Sequence, residues 1–154
     1  NIIVHGVERI RLLGELPLIN EGYRRFRAEV LDIGPVNGAE GDLLRLQTSV
    51  ISLRHVLAST DQELAQVLGL DPASVAQLCA GEYWLAPDRK EWERARLLLR
   101  LYTGLDAMMA GDAVALRAWM QQFNADLDAV PAALITRAGG LARTVDYVET
   151  HLAR

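Results

Sequence analysis

Apolar residues three and four apart recur along most of the chain and predict helices. From Glu21 to Ile33 the residues Tyr23, Phe26, Val30 and Ile33 share one helical face, and Arg24, Arg25 and Arg27 fall mostly off it. Ahead of that helix, Ile2-Ile3-Val4 reads as a short strand or an apolar tail, and Val7 to Leu13 as an amphipathic turn or two before Pro17. Gly34-Pro35-Val36-Asn37-Gly38-Ala39-Glu40-Gly41 breaks the pattern and is read as a linker. Asp42 is placed to cap a helix to about Leu57, with Leu43, Leu46, Val50, Leu53 and Leu57 inward.

Residues Asp61 to Ala80 fit a helix-turn-helix pattern. Ala65 is small where two helices would cross, Gly69 sits at the turn, and Leu64, Leu68, Leu70, Val75 and Leu78 supply apolar contacts. Asp71 is placed to cap the second helix, with Pro72 at its first position. Beyond Pro87, Asp88 with Glu91 predicts a capping-box start to a long helix reaching Ala110 and ended by Gly111. Its apolar stripe, from Trp92 and Ala95 through Leu98, Leu101, Tyr102 and Leu105 to Met109, is too wide for one partner helix and predicts a central post. Asp112 then caps a helix through Phe123 carrying Leu116, Trp119 and Met120. No internal repeat interrupts the series.

Composition agrees with a mainly α fold. Hydrophobic residues make up 51% of 154, enough for a core, and aromatics only 6%. The domain reading is an N-terminal extension and linker over 1–41, a helix-turn-helix-like domain over 42–87 and a small helical domain over 88–154. The net charge of −4 argues against a general nucleic-acid coat. Of 16 basic residues only Lys90 is a lysine, so positive charge sits on guanidinium groups suited to bidentate contacts, although a GC-rich genome produces the same bias. Between Thr60 and Pro87 stand Asp61, Glu63, Asp71 and Glu82 with no lysine or arginine, a balance that repels phosphate. Base contacts there reduce to Ser74 and Gln77, with Arg89 and Lys90 nearby as phosphate partners; the alternative is a helix pair kept as scaffold.

Catalytic chemistry is sparse. His5, His55 and His151 are scattered, no Cys or His pair has metal-ligand spacing, and Cys79 reads as a small buried side chain. Gly139-Gly140 follows a helical stretch and is expected to end one element and start another, not to cradle phosphate. Asp126 and Asp128 read as a solvated turn. No catalytic residue, metal or cofactor is therefore expected. A single cysteine and the lack of a run of about 18 apolar residues predict a cytoplasmic protein without a membrane span. The chain opens at Asn1 with neither methionine nor a signal pattern, so residues upstream are expected.

The order of short motifs carries a family resemblance. After the helix-turn-helix pattern come Arg94-Ala95-Arg96-Leu97-Leu98, Ala118-Trp119-Met120, Asn124-Ala125-Asp126-Leu127, Pro131-Ala132-Ala133-Leu134-Ile135, a glycine and Val145-Asp146-Tyr147-Val148. This order, over roughly Asp42 to Arg154, resembles the Xre/MbcA/ParS antitoxins. The resemblance implies that residues after Pro87 bind a toxin, usually a RES-domain enzyme that destroys NAD, and cover its NAD pocket, often within a multi-subunit complex. It also implies repression of the shared operon through the helix-turn-helix. Two departures stand against it: the acidic-leaning helix pair weakens the inference of operator binding, and residues 1–41 match nothing in the family.

Candidate toxin contacts are Trp119, Phe123, Asn124, Arg137, Arg143, Tyr147, His151 and Arg154. Large aromatic groups anchor interfaces when exposed, and arginines line their rims. Trp119 and Tyr147 read first as core residues, with Arg137, Arg143, His151 and Arg154 the better rim candidates, and Tyr83-Trp84 fits exposure or burial equally. Two competing readings remain: a DNA-binding regulator that needs no protein partner, and a helical scaffold that oligomerises through the stripe on the long helix.

Overall fold

A computed structural model describes residues 46, 47, 49–51, 53, 54 and 60–153. The expected N-terminal strand or tail, the helix over 21–33, the linker over 34–41, Asp42, Leu43 and Leu57 lie outside the described residues, as does Arg154. Among the described residues the fold is mainly helical, and its one piece of β pairing is an isolated antiparallel bridge between Asn124 and Ala129.

The described residues from 46 to 54 are helical, and Leu46, Val50 and Leu53 are buried together at the expected spacing. Next comes α1 (Asp61–Leu68), whose start is a complete capping box. The Thr60 hydroxyl accepts from the Glu63 amide (3.0 Å), and the Glu63 carboxylate accepts from the Thr60 amide (3.2 Å). Gly69 ends α1 in the left-handed conformation at φ 76°. Asp71 caps α2 (Pro72–Cys79) by accepting from the Ser74 amide at 2.7 Å, with Pro72 in the first turn. Leu64, Ala65, Leu68, Val75 and Leu78 are buried, and Leu70 packs partly buried beside them. An ion pair of 2.6 Å between Arg54 and Asp61 fixes α1 to the preceding helical residues.

The connection to the next helix is held by buried side chains as well as by a turn in which the Arg89 amide donates to the Ala86 carbonyl (3.0 Å). Gln47 is fully buried; its amide nitrogen donates to the Tyr83 carbonyl (2.5 Å) and its amide oxygen accepts from the Leu85 amide (3.1 Å). The Tyr83 hydroxyl lies 2.8 and 3.0 Å from the two carboxylate oxygens of Glu91, a residue only 4% exposed.

That bond corrects the expected start of the long helix, α3 (Lys90–Met108). Arg89, not Asp88, is the cap residue, and no side chain caps it. Glu91 does not reach back to close a capping box because its carboxylate is turned to Tyr83. At the other end α3 stops at Met108. Ala110 and Gly111 follow with φ of 52° and 80°, and the Gly111 amide donates back to the Asp106 carbonyl. The apolar stripe works as a central post: α3 packs against α1, α4 and α6, with Trp92, Ala95, Leu98, Leu101, Tyr102 and Leu105 all buried.

Asp112 caps α4 (Ala113–Gln121), accepting from the amides of Val114 (3.0 Å) and Ala115 (3.2 Å). This helix ends two residues short of the expected Phe123. Gln122 turns extended, and the Asn124 side chain collects the amides of Asp126 (3.0 Å) and Leu127 (3.1 Å), a local turn that competes with continued helix. The short α5 (Pro131–Leu134) and then α6 (Gly140–Leu152) complete the fold, with Gly139 at the cap of α6. Gly140 has no substitute, because a Cβ there would fall on the Leu134 carbonyl. At Gly104 the lack of a side chain lets α6 approach α3, since a Cβ would lie 2.6 Å from Val148.

One apolar core runs from Leu46 to Val148, crossing Pro87 without a break, so the helix pair and the C-terminal helices share it. A second, small cluster of Leu127, Ala129 and Leu134 lies under the 124–129 loop, and Trp119 and Tyr147 pack against both.

Candidate protein-interaction face

The expected contact residues come from three separate stretches. Trp119 rides on α4, Asn124 anchors the following loop, and Tyr147 and His151 lie one turn apart on α6, with Arg143 one turn earlier. The rings of Trp119 and Tyr147 stack with centroids 6.4 Å apart at 23°, and those of Tyr147 and His151 lie 5.6 Å apart at 36°. Trp119 and Tyr147 are half-buried, so each is both a core residue and part of the surface row; His151 is exposed.

The loop beside this row is ordered by its own hydrogen bonds. Asn124 and Ala129 exchange backbone bonds of 2.9 and 3.3 Å, and the Tyr147 hydroxyl donates to Asp126 (2.8 Å) from 21 residues away. Next to Asn124 stands Phe123, 64% exposed, and Leu152 near the end of α6 is 42% exposed. The structure thus assembles Trp119, Asn124, Tyr147 and His151, with Phe123 adjacent to Asn124 in the chain. Arg137 is exposed and lines a separate groove with Arg94. Asp126 is the member the sequence did not single out as a contact. It read as a solvated turn residue, and no local pattern links it to Tyr147.

The candidate DNA contacts are arranged differently. Gln77 is exposed on α2, Ser74 is half-buried, and Arg89 and Lys90 are exposed where α3 begins. Hydrogen bonds from the Ser74 amide and hydroxyl hold the Asp71 carboxyl below its ordinary pKa, so the start of α2 keeps an ionised carboxylate at neutral pH. A negative charge there opposes phosphate.

The remaining candidate chemistry is quiet. Burial pushes the Cys79 thiol up from its usual pKa, the opposite of what an activated nucleophile needs. Among the described residues no group of three or more His, Cys, Asp or Glu is placed to hold a metal ion. A small, partly open pocket of about 20 Å³ beside Leu53, Leu64, Leu98 and Ile135 has room for roughly one water molecule. No described helix is long and apolar enough to cross a membrane. No family model matches the chain, and no curated protein matches it.

Proposed function

We propose that this chain is the antitoxin of a type II toxin–antitoxin pair, which binds and occludes a partner toxin and catalyses nothing itself. One observation carries the proposal: an ordered aromatic row, Trp119–Tyr147–His151, stands beside a loop that presents Phe123 at 64% exposure. Leaving a phenylalanine in water forfeits much of the 1.5–3 kcal/mol, roughly, that its burial yields. A partner that covers Phe123 recovers that energy. Because the row is locked by stacking and by the Tyr147–Asp126 bond, little conformational entropy is lost when it is covered.

The order of sequence motifs supports a RES-domain, NAD-degrading enzyme as the partner, a cytoplasmic setting, and a complex holding more than one copy of this chain. Operator binding through α1 and α2 is the subordinate part of the proposal. It needs Arg89 and Lys90 to outweigh the ionised Asp71. The stand-alone regulator and the oligomerising scaffold have no comparable observation in their favour.

The test is to co-express this chain with the product of the adjacent reading frame and purify through a tag on this chain alone. Co-elution of the neighbour, with growth restored, is the expected result. A chain that purifies alone beside a harmless neighbour would overturn the proposal, and a protein that instead retards operator DNA would shift function to the helix pair.

A further inference from the structure

We propose that the groove between α1, α3 and the start of α6 is a binding site for a small phosphorylated anion, independent of the interaction face and of the antitoxin reading. The groove has a volume of about 380 Å³, within the range of roughly 300–1,000 Å³ typical of small-molecule sites. Two arginines line it, Arg94 from α3 and Arg137 from the connection before α6, and no aspartate or glutamate does. In a chain of net charge −4 that is a local reversal of sign.

The arginines are not consumed by ion pairs with described residues. Arg54, Arg96 and Arg100, by contrast, pair with Asp61, Glu93 and Glu149. Arg94 reaches from α3 to the end of α1, where a Cβ at Gly69 would meet its guanidinium.

The chemistry of the lining selects the ligand class. Two planar guanidinium forks match a group with several charged oxygens, so a phosphate or diphosphate ester satisfies both, where a single carboxylate satisfies one. Gln66 adds an exposed side-chain amide from α1. The first turn of α6 also opens on the groove with no side-chain cap and no acidic residue, which adds to the favourable field. Val67, Leu97 and Leu141 form an apolar wall for the organic part of the ligand. A polyanion fits poorly: α1 and α2 bring Asp61, Glu63 and Asp71 to the same helix pair and repel an extended phosphate backbone, whereas a small ligand stays within the groove.

Calorimetric titration of the purified chain with ADP and with inorganic pyrophosphate tests the site. Saturable sub-millimolar binding of ADP is expected, weakening with added salt and weakened about tenfold or more by Arg137→Gln or Arg94→Gln, the effect of losing one charge-assisted contact. Arg137 lies on an exposed connection, so its variant remains informative if Arg94→Gln disturbs the Gly69 turn, which thermal melting will reveal. No saturable binding of either probe, or binding unchanged in Arg137→Gln, would overturn the proposal. So would an outcome in which a glutamate-rich peptide binds through both arginines while ADP does not, which would assign the groove to an acidic protein segment.

Discussion

Replacing Tyr83 by Phe removes one oxygen atom and leaves the nearly buried Glu91 carboxylate without the hydroxyl that bonds both its oxygens at 2.8 and 3.0 Å. A hydrogen bond to a charged group contributes roughly 1.5–3 kcal/mol. Tyr83 is half-buried, so water replaces part of the lost bond and the lower end applies, about 1.5–2 kcal/mol. For a chain of this size that corresponds to a fall in melting temperature of roughly 3–8 °C. Removing both partners, as in Tyr83→Phe with Glu91→Met, costs less than the sum of the single changes, because no orphaned carboxylate remains. Thermal and urea unfolding of the four proteins at neutral pH measures the coupling. A shift below about 1 °C for Tyr83→Phe, or single effects that add within about 0.5 kcal/mol, would refute the reasoning. Alkaline pH provides a second reading of the same bond. Burial and the hydrogen bond to Glu91 both raise the Tyr83 phenol above its ordinary pKa of 10.0. Its stabilisation is thus complete below that value and is lost as pH rises through the folded-state value, a loss absent in Tyr83→Phe.

Phe123→Ala removes a side chain that is 64% exposed, so the melting temperature should stay within about 2 °C while toxin capture weakens at least tenfold in a pull-down titration. Unchanged capture would remove Phe123 from the interface. Gly140→Ala drives a methyl group into the Leu134 carbonyl and is expected to cost more than about 2 kcal/mol in urea unfolding; a variant as stable as the parent would show that the α5–α6 junction yields. Asp71 has a lowered pKa, so its contribution to stability is present above its unfolded value of 3.8 and is lost as pH falls through the lower folded-state value. Asp71→Asn keeps a capping oxygen and should flatten that acid limb of the stability profile; an unchanged limb would place the pH dependence elsewhere.

What the sequence alone determined was the set of features fixed by residues within a few positions of one another. Gly69, Asp71, Pro72 and Asp112 mark helix ends correctly because caps and left-handed turns are decided by φ, ψ and bonds spanning three or four residues. The buried faces of α1 and α3 were legible for the same reason, since their spacing repeats the helical period. Where a residue had both a local and a distant partner, tertiary structure decided. Glu91 had the spacing for a capping box, yet its carboxylate went to Tyr83, and the helix started with no side-chain cap. Asp126 read as a solvated turn residue, yet it receives the Tyr147 hydroxyl from 21 positions along the chain. The pairing of Trp119 with Tyr147 and the meeting of Arg94 with Arg137 in one groove depend on how α4 and α6 pack around α3. Helical periodicity names the residues on each face; it carries no information about which faces converge, because that depends on the packing of the whole core.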